Sequence, residues 1–380
     1  MLKQSDLYSL AGFFMAAGLL LGLPLLGAWL FVDEPLRVYF DFPPEPGRID
    51  HAPFSWPVFW ILFLLIAVCL APFVVRGFRV FLQGRKINAK AKPLERFPAW
   101  GHAGLLIGAV AWIFSWTRFS WFGAWQPYTF PLLWLGYIIA VNALCQRRTG
   151  ACRMLAQPVF FFFFFMASAV FWWFFEYLNR FVLNWYYVDV DMFGPAGYIL
   201  YATICFSTVL PAVWSTADLL ASYPFFRNAF GDFIALRLRR PGLAAGTLLT
   251  AAAAGLFLLP LYPNWLFPLL WVSPLLIIVC FQALARRPHL FSPVARGKWD
   301  RLVCFAAAAL VCGFFWEMWN FYSLARWEYS IPFVHGFKVF EMPLPGYAGY
   351  LPFGLECAAV GDIVKGQLTS GRGNLSRVEV

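Results

Sequence analysis

The sequence predicts an all-α, polytopic integral membrane protein of about ten transmembrane helices, containing a tandem, parallel duplication of a four-helix unit. Three observations predict it: the balance of apolar and charged residues, the spacing of long apolar windows, and a collinear series of internal matches. Apolar residues make up 61% of the 380 and charged residues 13%. A water-soluble domain carries roughly 25% charged residues, so the solvent for most of this chain is lipid.

Apolar windows lie at 9–31, 56–75, 99–117, 129–146, 156–178, 196–221, 241–261, 264–285, 302–322 and 346–364. Each is close to the ~20 residues a helix needs to cross a membrane. Little chain remains for a soluble domain of ordinary size. The first window exceeds a signal-peptide core and no small-residue cleavage site follows, so it reads as a retained helix.

The net charge is +10. With the N-terminus placed in the cytoplasm, the 29 Lys and Arg fall on the cytoplasmic side apart from Arg37, Arg48, Arg118, Arg180, Arg326 and Lys338. One inner connection holds Arg76, Arg79, Arg85, Lys86, Lys90, Lys92 and Arg96. This positive-inside pattern predicts a cytoplasmic (inner) membrane protein with both termini cytoplasmic. It assigns the basic excess to topology and anionic-lipid contact and excludes nucleic acid as a partner. The eight cysteines lie in spans or on the inner side without a CxxC pair, which argues against a disulfide framework or a thiolate metal site.

The internal matches run in order. "FPLLW" at Phe130–Trp134 recurs at Phe267–Trp271, and Arg147-Arg148 as Arg286-Arg287. "FEYLN" at Phe175–Asn179 matches "WEMWN" at Trp316–Asn320, and Trp185-x-Tyr187 matches Trp327-x-Tyr329. Asp191-Met192 with Pro195 matches Glu341-Met342 with Pro345. One such match is cheap in so aromatic a chain. A series whose offset only creeps upward reads as a duplication with small insertions. The expected organisation is an N-terminal two-helix unit over 1–96, repeats over 97–222 and 240–366, and a cytoplasmic tail over 367–380. Four crossings per copy keep both in one orientation, about an axis along the membrane normal.

The matched residues divide in two. FPLLW suits the first turn of a span, with Pro near its start and Trp at the interface. The others are polar. Glu176 with Asn179, and Glu317 with Asn320, are each spaced to share one helix face. At ~1.5 Å per residue both carboxylates fall near the outer edge of the hydrocarbon. Each helix leads into an aromatic connection that ends at Asp191 or Glu341. These elements are expected to converge on one outer-side pocket roofed by Trp185, Tyr187, Trp327 and Tyr329. The candidate ligand-binding residues are therefore Glu176, Asn179, Arg180, Trp185, Asp191, Glu317, Asn320, Trp327 and Glu341. The opposing reading is a structural clasp, with Glu176 paired to Arg180 and Asn179 bonded to a neighbouring helix.

Arg180 corresponds to Phe321, so only the first copy carries this cation. Glu356, in the last span, corresponds to Phe206. It reads as a proton-handling group, as a partner for Arg180, or as a protonated carboxyl hydrogen-bonded to a helix. Ionisable groups at membrane depth are expensive, which makes Glu176, Glu317 and Glu356 the candidates for any catalysis. The run Phe160–Phe165 reads as lipid contact and packing, and Asp218 and Asp362 as solvated. His51, His335, Asp41, Asp50 and Glu341 could gather a metal only in wet loops, and no metal is assigned. No motif specifies a cofactor.

Three function classes follow. The first is a site that binds or processes a lipidic or isoprenoid-like molecule, with paired carboxylates for proton exchange and aromatic walls facing the ligand. The second is a transporter, proton-coupled through Glu356, against which counts the absence of a clearly broken span. The third is a non-catalytic subunit of a membrane complex. Expected partners are membrane lipid, a lipidic small molecule and other membrane subunits. Whether the protein is an enzyme stays open, since H-E-x-x-H, P-loop and G-x-S-x-G are all absent.

Overall fold

The computed structural model describes residues 4–41, 49–83 and 96–375. Arg48 and the basic residues Arg85, Lys86, Lys90 and Lys92 lie outside the described residues. Two helices, α1 (Gln4–Phe31) and α2 (Trp56–Leu82), come first. Next are α3 (Ala99–Trp116), α4 (Phe130–Thr149), the short α5 (Arg153–Ala156), α6 (Pro158–Asn179) and α7 (Gly194–Phe206), which leads into α8 (Val209–Ala221). After the short α9 (Pro224–Phe230) come α10 (Pro241–Leu258), the short α11 (Pro263–Leu266), α12 (Ser273–Leu284), α13 (Asp300–Phe321) and α14 (Tyr350–Leu375). Proline opens α6 and α10, where its fixed φ suits a first turn and its missing N–H costs nothing. Gly150, at φ 78°, ends α4 in the left-handed conformation, and Arg147 and Arg148 face the helix's negative end.

Among the described residues, eight helical stretches are long and apolar enough to cross a membrane. A ninth runs from α11 through a 3-10 turn into α12 and is bent by 52°. The expected tenth is α14, which has the length but carries Glu356, Asp362 and Lys365. The bend corrects two expectations. A broken span does exist, and the two FPLLW segments differ: Phe130–Trp134 opens a regular helix, whereas Phe267–Leu270 forms the 3-10 turn at the break.

The core lies where α6, α8, α13 and α14 meet. α13 packs against both α8 and α14, and α6 packs against α8. Trp214 of α8 donates its indole N–H to the Cys357 carbonyl of α14 at 2.7 Å. Its ring fills the space above Gly361, where a Cβ would fall 2.2 Å from the indole. The pairs α3·α4 and α10·α12 flank this core, and α1 packs on α10. Within the phenylalanine run, Phe160, Phe161 and Phe164 are buried while Phe162 and Phe163 are exposed. Helical periodicity thus sends one face of the run to the core and the other to the lipid side.

Asp218 and Asp362 are not merely solvated. Arg153 grips Asp218 with two bonds of 2.7 and 2.8 Å, and Arg301 grips Asp362 with two of 3.0 and 2.7 Å. In both cases an Arg preceding or opening one helix ties it to the next long helix. At the opposite end, the connections after α6 and α13 form strands. β1 (Trp185–Val188) and β2 (Arg326–Tyr329) pair antiparallel, with Trp185 opposite Tyr329 and Tyr187 opposite Trp327. A second two-stranded piece, β3 (Lys338–Val339) with β4 (Met342–Pro343), precedes α14.

Candidate functional site

The two Glu-x-x-Asn faces make nearly the same bonds. Each Asn clasps the backbone of the tryptophan near the start of the following strand. Asn179 donates from Nδ2 to the Trp185 carbonyl at 2.8 Å, and its Oδ1 accepts the Asn184 N–H at 2.8 Å. Asn320 donates to the Trp327 carbonyl at 2.7 Å and accepts the Trp327 N–H at 2.9 Å. A side-chain amide is suited to this role, because it supplies a donor and an acceptor to a backbone that has just left its helix.

Each Glu receives the tyrosine hydroxyl of the following strand. Glu176 Oε1 accepts from Tyr187 at 2.7 Å and from the indoles of Trp172 and Trp185, both at 3.0 Å. Glu317 Oε1 accepts from Tyr329 at 2.7 Å and from Tyr350 at 2.6 Å. Trp327 donates to the Tyr329 hydroxyl at 2.9 Å. Burial first, and the neighbouring carboxylate second, push the Tyr187 and Tyr329 hydroxyls well above their ordinary pKa. Both therefore remain donors. Glu176, Asn179, Glu317 and Asn320 are all buried.

Beside these strands lies a cavity of about 390 Å³. Trp185, Tyr187, Trp327 and Tyr329 line it, joined by Trp172, Trp271, Trp316 and Tyr350. The cavity follows α2 down to Leu62 and Ile66, and α7 and α8 down to Cys205 and Val209. At 1.5 Å per residue, Ile66 is ~15 Å along α2 from Trp56. The wall is almost wholly apolar or aromatic. Two polar residues on it, Asn184 and Arg326, each stand directly before the matched tryptophan.

The remaining sequence candidates are elsewhere. Glu176, Asn179, Glu317 and Asn320 stand behind the aromatic layer rather than on the cavity wall. Asp191 is exposed on a 3-10 turn, and Glu341 pairs with Lys338 at 3.2 Å; neither lines the cavity. Arg180 is buried and donates to the Asp41 carbonyl, which pins the connection between α1 and α2. Glu356 does not pair with Arg180. Its Oε1 accepts the Leu275 N–H at 3.1 Å, so a carboxyl from α14 caps the first turn of α12 at the break. His51 bonds Ser330 Oγ at 2.6 Å and the Val182 carbonyl at 2.8 Å, tying the two aromatic connections together. Among the described residues no group of three or more His, Cys, Asp or Glu is placed to hold a metal ion.

Sequence reasoning missed Trp172, Trp271 and Asn184. Trp172 was detectable as the residue one turn before Glu176. Trp271 ends the second FPLLW, and only the bend turns it into the cavity. Compared with protein-family models, with curated proteins and with solved structures, the chain shows no match.

Proposed function

We propose that this membrane protein binds a lipidic, isoprenoid-like molecule in the aromatic cavity, and that it binds without transforming it. The observation that carries this is the cavity itself: about 390 Å³, walled by tryptophan and tyrosine and extending downwards between α2, α7 and α8. That volume lies within the ~300–1,000 Å³ of ordinary ligand sites, which are mostly apolar with a few placed polar groups. The carboxylates favour binding over acid–base chemistry. Each spends one oxygen on two or three wall donors, and neither lines the cavity.

The reading includes the topology that the charge pattern predicts: an inner-membrane protein, both termini cytoplasmic, with the cavity on the outer side. It also includes the tandem duplication, which the like bonds of the two Glu-x-x-Asn faces support. The cavity lies where the aromatic connections of both copies meet. The test is native mass spectrometry of the protein released from its own membrane, with tryptophan-fluorescence titration of the stripped protein. A bound apolar molecule, and quenching when long-chain lipids are returned, are expected. A protein that carries nothing and quenches with nothing would overturn the reading.

A carrier is the second reading, favoured by the 52° break before α12 and its cap by Glu356. Broken spans with buried carboxylates are common in transporters. Proteoliposomes showing proton-dependent uptake that Glu356→Gln abolishes would select it.

A further inference from the structure

We infer that the cavity is loaded sideways from the bilayer, through a slit between α2 and α7, and that α2 is the strap that opens it. The inference rests on the lipid-binding reading and deepens it: the ligand is a molecule dissolved among lipid chains, not one delivered through water. The two helices share the cavity without closing it. α2 contributes Leu62 and Ile66 to the wall, and α7 contributes Tyr198, Ala202 and Cys205. Among the described residues, however, α2 packs on α9 and on the 3-10 turn before α14, and not on α7. The apolar cluster around Tyr198, Ala202 and Phe206 draws on Trp172, Tyr187 and Phe193, and among the described residues on nothing from α2.

α2 is held at its two ends and loose between them. Phe59, Ile66, Leu70, Gly77 and Val80 are spaced by three, four or seven residues, which puts them on one face of the helix. Phe59 is buried in a cluster with Ile331, Val334 and Met342, and the Ser55 N–H just ahead of the helix bonds the Phe333 carbonyl at 2.9 Å. Towards the other end Gly77 and Val80 are buried, with Gly77 against Phe225 and Phe230. Arg76 there donates to the carbonyls of Ala229 at 3.0 Å and Asp232 at 3.1 Å. Halfway between, Ile66 and Leu70 are only half-buried and belong to neither end's cluster. Pro72 lies beside this stretch. It has no N–H to offer the Val68 carbonyl, which gives the helix a soft point at which to bow. The outer face carries exposed Ile61, Leu64, Leu65 and Val68, so bowing moves hydrocarbon through hydrocarbon and bares no side-chain polar group there.

The experiment places the full chain, stripped of endogenous lipid, in lipid nanodiscs and follows tryptophan fluorescence after mixing with a bromine-labelled polyprenyl alcohol, whose bromine quenches indoles it touches. Exposed Trp29, Trp60 and Trp125 should quench at once, and the cavity's Trp172, Trp185 and Trp316 in a slower, saturable phase. The rate of that phase should rise with the probe's mole fraction in the bilayer. Arg76→Ala unpins one end of α2 and should speed it about tenfold. Pro72→Leu restores the missing backbone bond and should slow it about threefold. Neither residue lines the cavity, so half-saturation should be unchanged in both. A rate unmoved or moved the other way in either variant, a shifted half-saturation, or a rate set by the probe's concentration in water would overturn the inference and leave the lipid-binding reading standing. Absence of any saturable phase would overturn both. Should Arg76→Ala fail to fold, Pro72→Leu, at an exposed position, decides the matter alone.

Discussion

Tyr350 occupies the space that Gly313 leaves open: a Cβ on Gly313 would fall 2.4 Å from the Tyr350 ring. Gly313 is the residue one turn before Glu317, where the first segment has Trp172 one turn before Glu176. The donor that Trp172 supplies from its own helix is supplied to Glu317 by Tyr350 from α14. The same carboxylate need is met by two different side chains.

The first prediction follows from that contact. Gly313→Ala should drive the Tyr350 ring off Glu317 and destabilise the protein by about 1–3 kcal/mol, the ordinary cost of overpacking. Tyr350→Ala alone should also destabilise, but the double variant should lose less than the sum. Thermal unfolding in detergent measures all three. Additive losses would show that the two positions do not share the space.

A second prediction concerns the asparagine clasps. Asn320→Ala strands the Trp327 N–H and carbonyl and should cost about 1–3 kcal/mol. Asn320→Asp keeps the acceptor and loses the donor, so it should fall between alanine and the unaltered protein. Asn179→Ala should behave like Asn320→Ala, because it too removes bonds to the strand backbone. Chemical denaturation in micelles ranks the four proteins.

Third, Glu356→Gln should be nearly neutral for stability, within about 0.5 kcal/mol, because the amide oxygen still accepts the Leu275 N–H. Glu356→Leu leaves that N–H bare at the start of α12 and should cost about 1–2 kcal/mol, as lost caps do. Glutamine as harmful as leucine in the unfolding assay would mean the acidic proton itself is required.

At the opposite end of the bundle, the two Arg–Asp grips differ in exposure: 17% and 33% for Arg153 and Asp218, against 45% and 38% for Arg301 and Asp362. Asp362→Asn should therefore cost less than about 1 kcal/mol, and its effect should fade in high salt. Asp218→Asn should cost more and depend less on salt. Melting curves at low and high ionic strength separate the two. Equal salt dependence would refute the assignment.

Much of the architecture was legible because lipid imposes a simple code. Long apolar windows must be helical to satisfy their backbones, and the expected windows correspond closely to helices in the structure. The break before α12 was not legible, because its Pro-Leu-Leu-Trp segment is identical to the one that opens α4. What differs is a carboxyl more than seventy positions away, Glu356, which supplies the acceptor the broken end needs. The Glu-x-x-Asn faces were found through their recurrence, yet their direction was misjudged. Spacing says which residues share a face, but the pairing of β1 with β2 decides that the aromatic rings, not the carboxylates, meet the cavity. Asp191 and Glu341 were matched in sequence but lie on turns outside the cavity wall.

The β1–β2 pair carries one further consequence. Trp185 faces Tyr329 and Trp327 faces Tyr187, so a half-turn about the centre of the ribbon exchanges like for like. A chamber with that symmetry alone would accept a long molecule head-first or tail-first with equal ease. Asn184 at one corner and Arg326 at the other remove the equivalence. The ribbon thus gives the chamber two unlike ends, and on the proposed binding reading a guest with two unlike ends would have one way to lie in it.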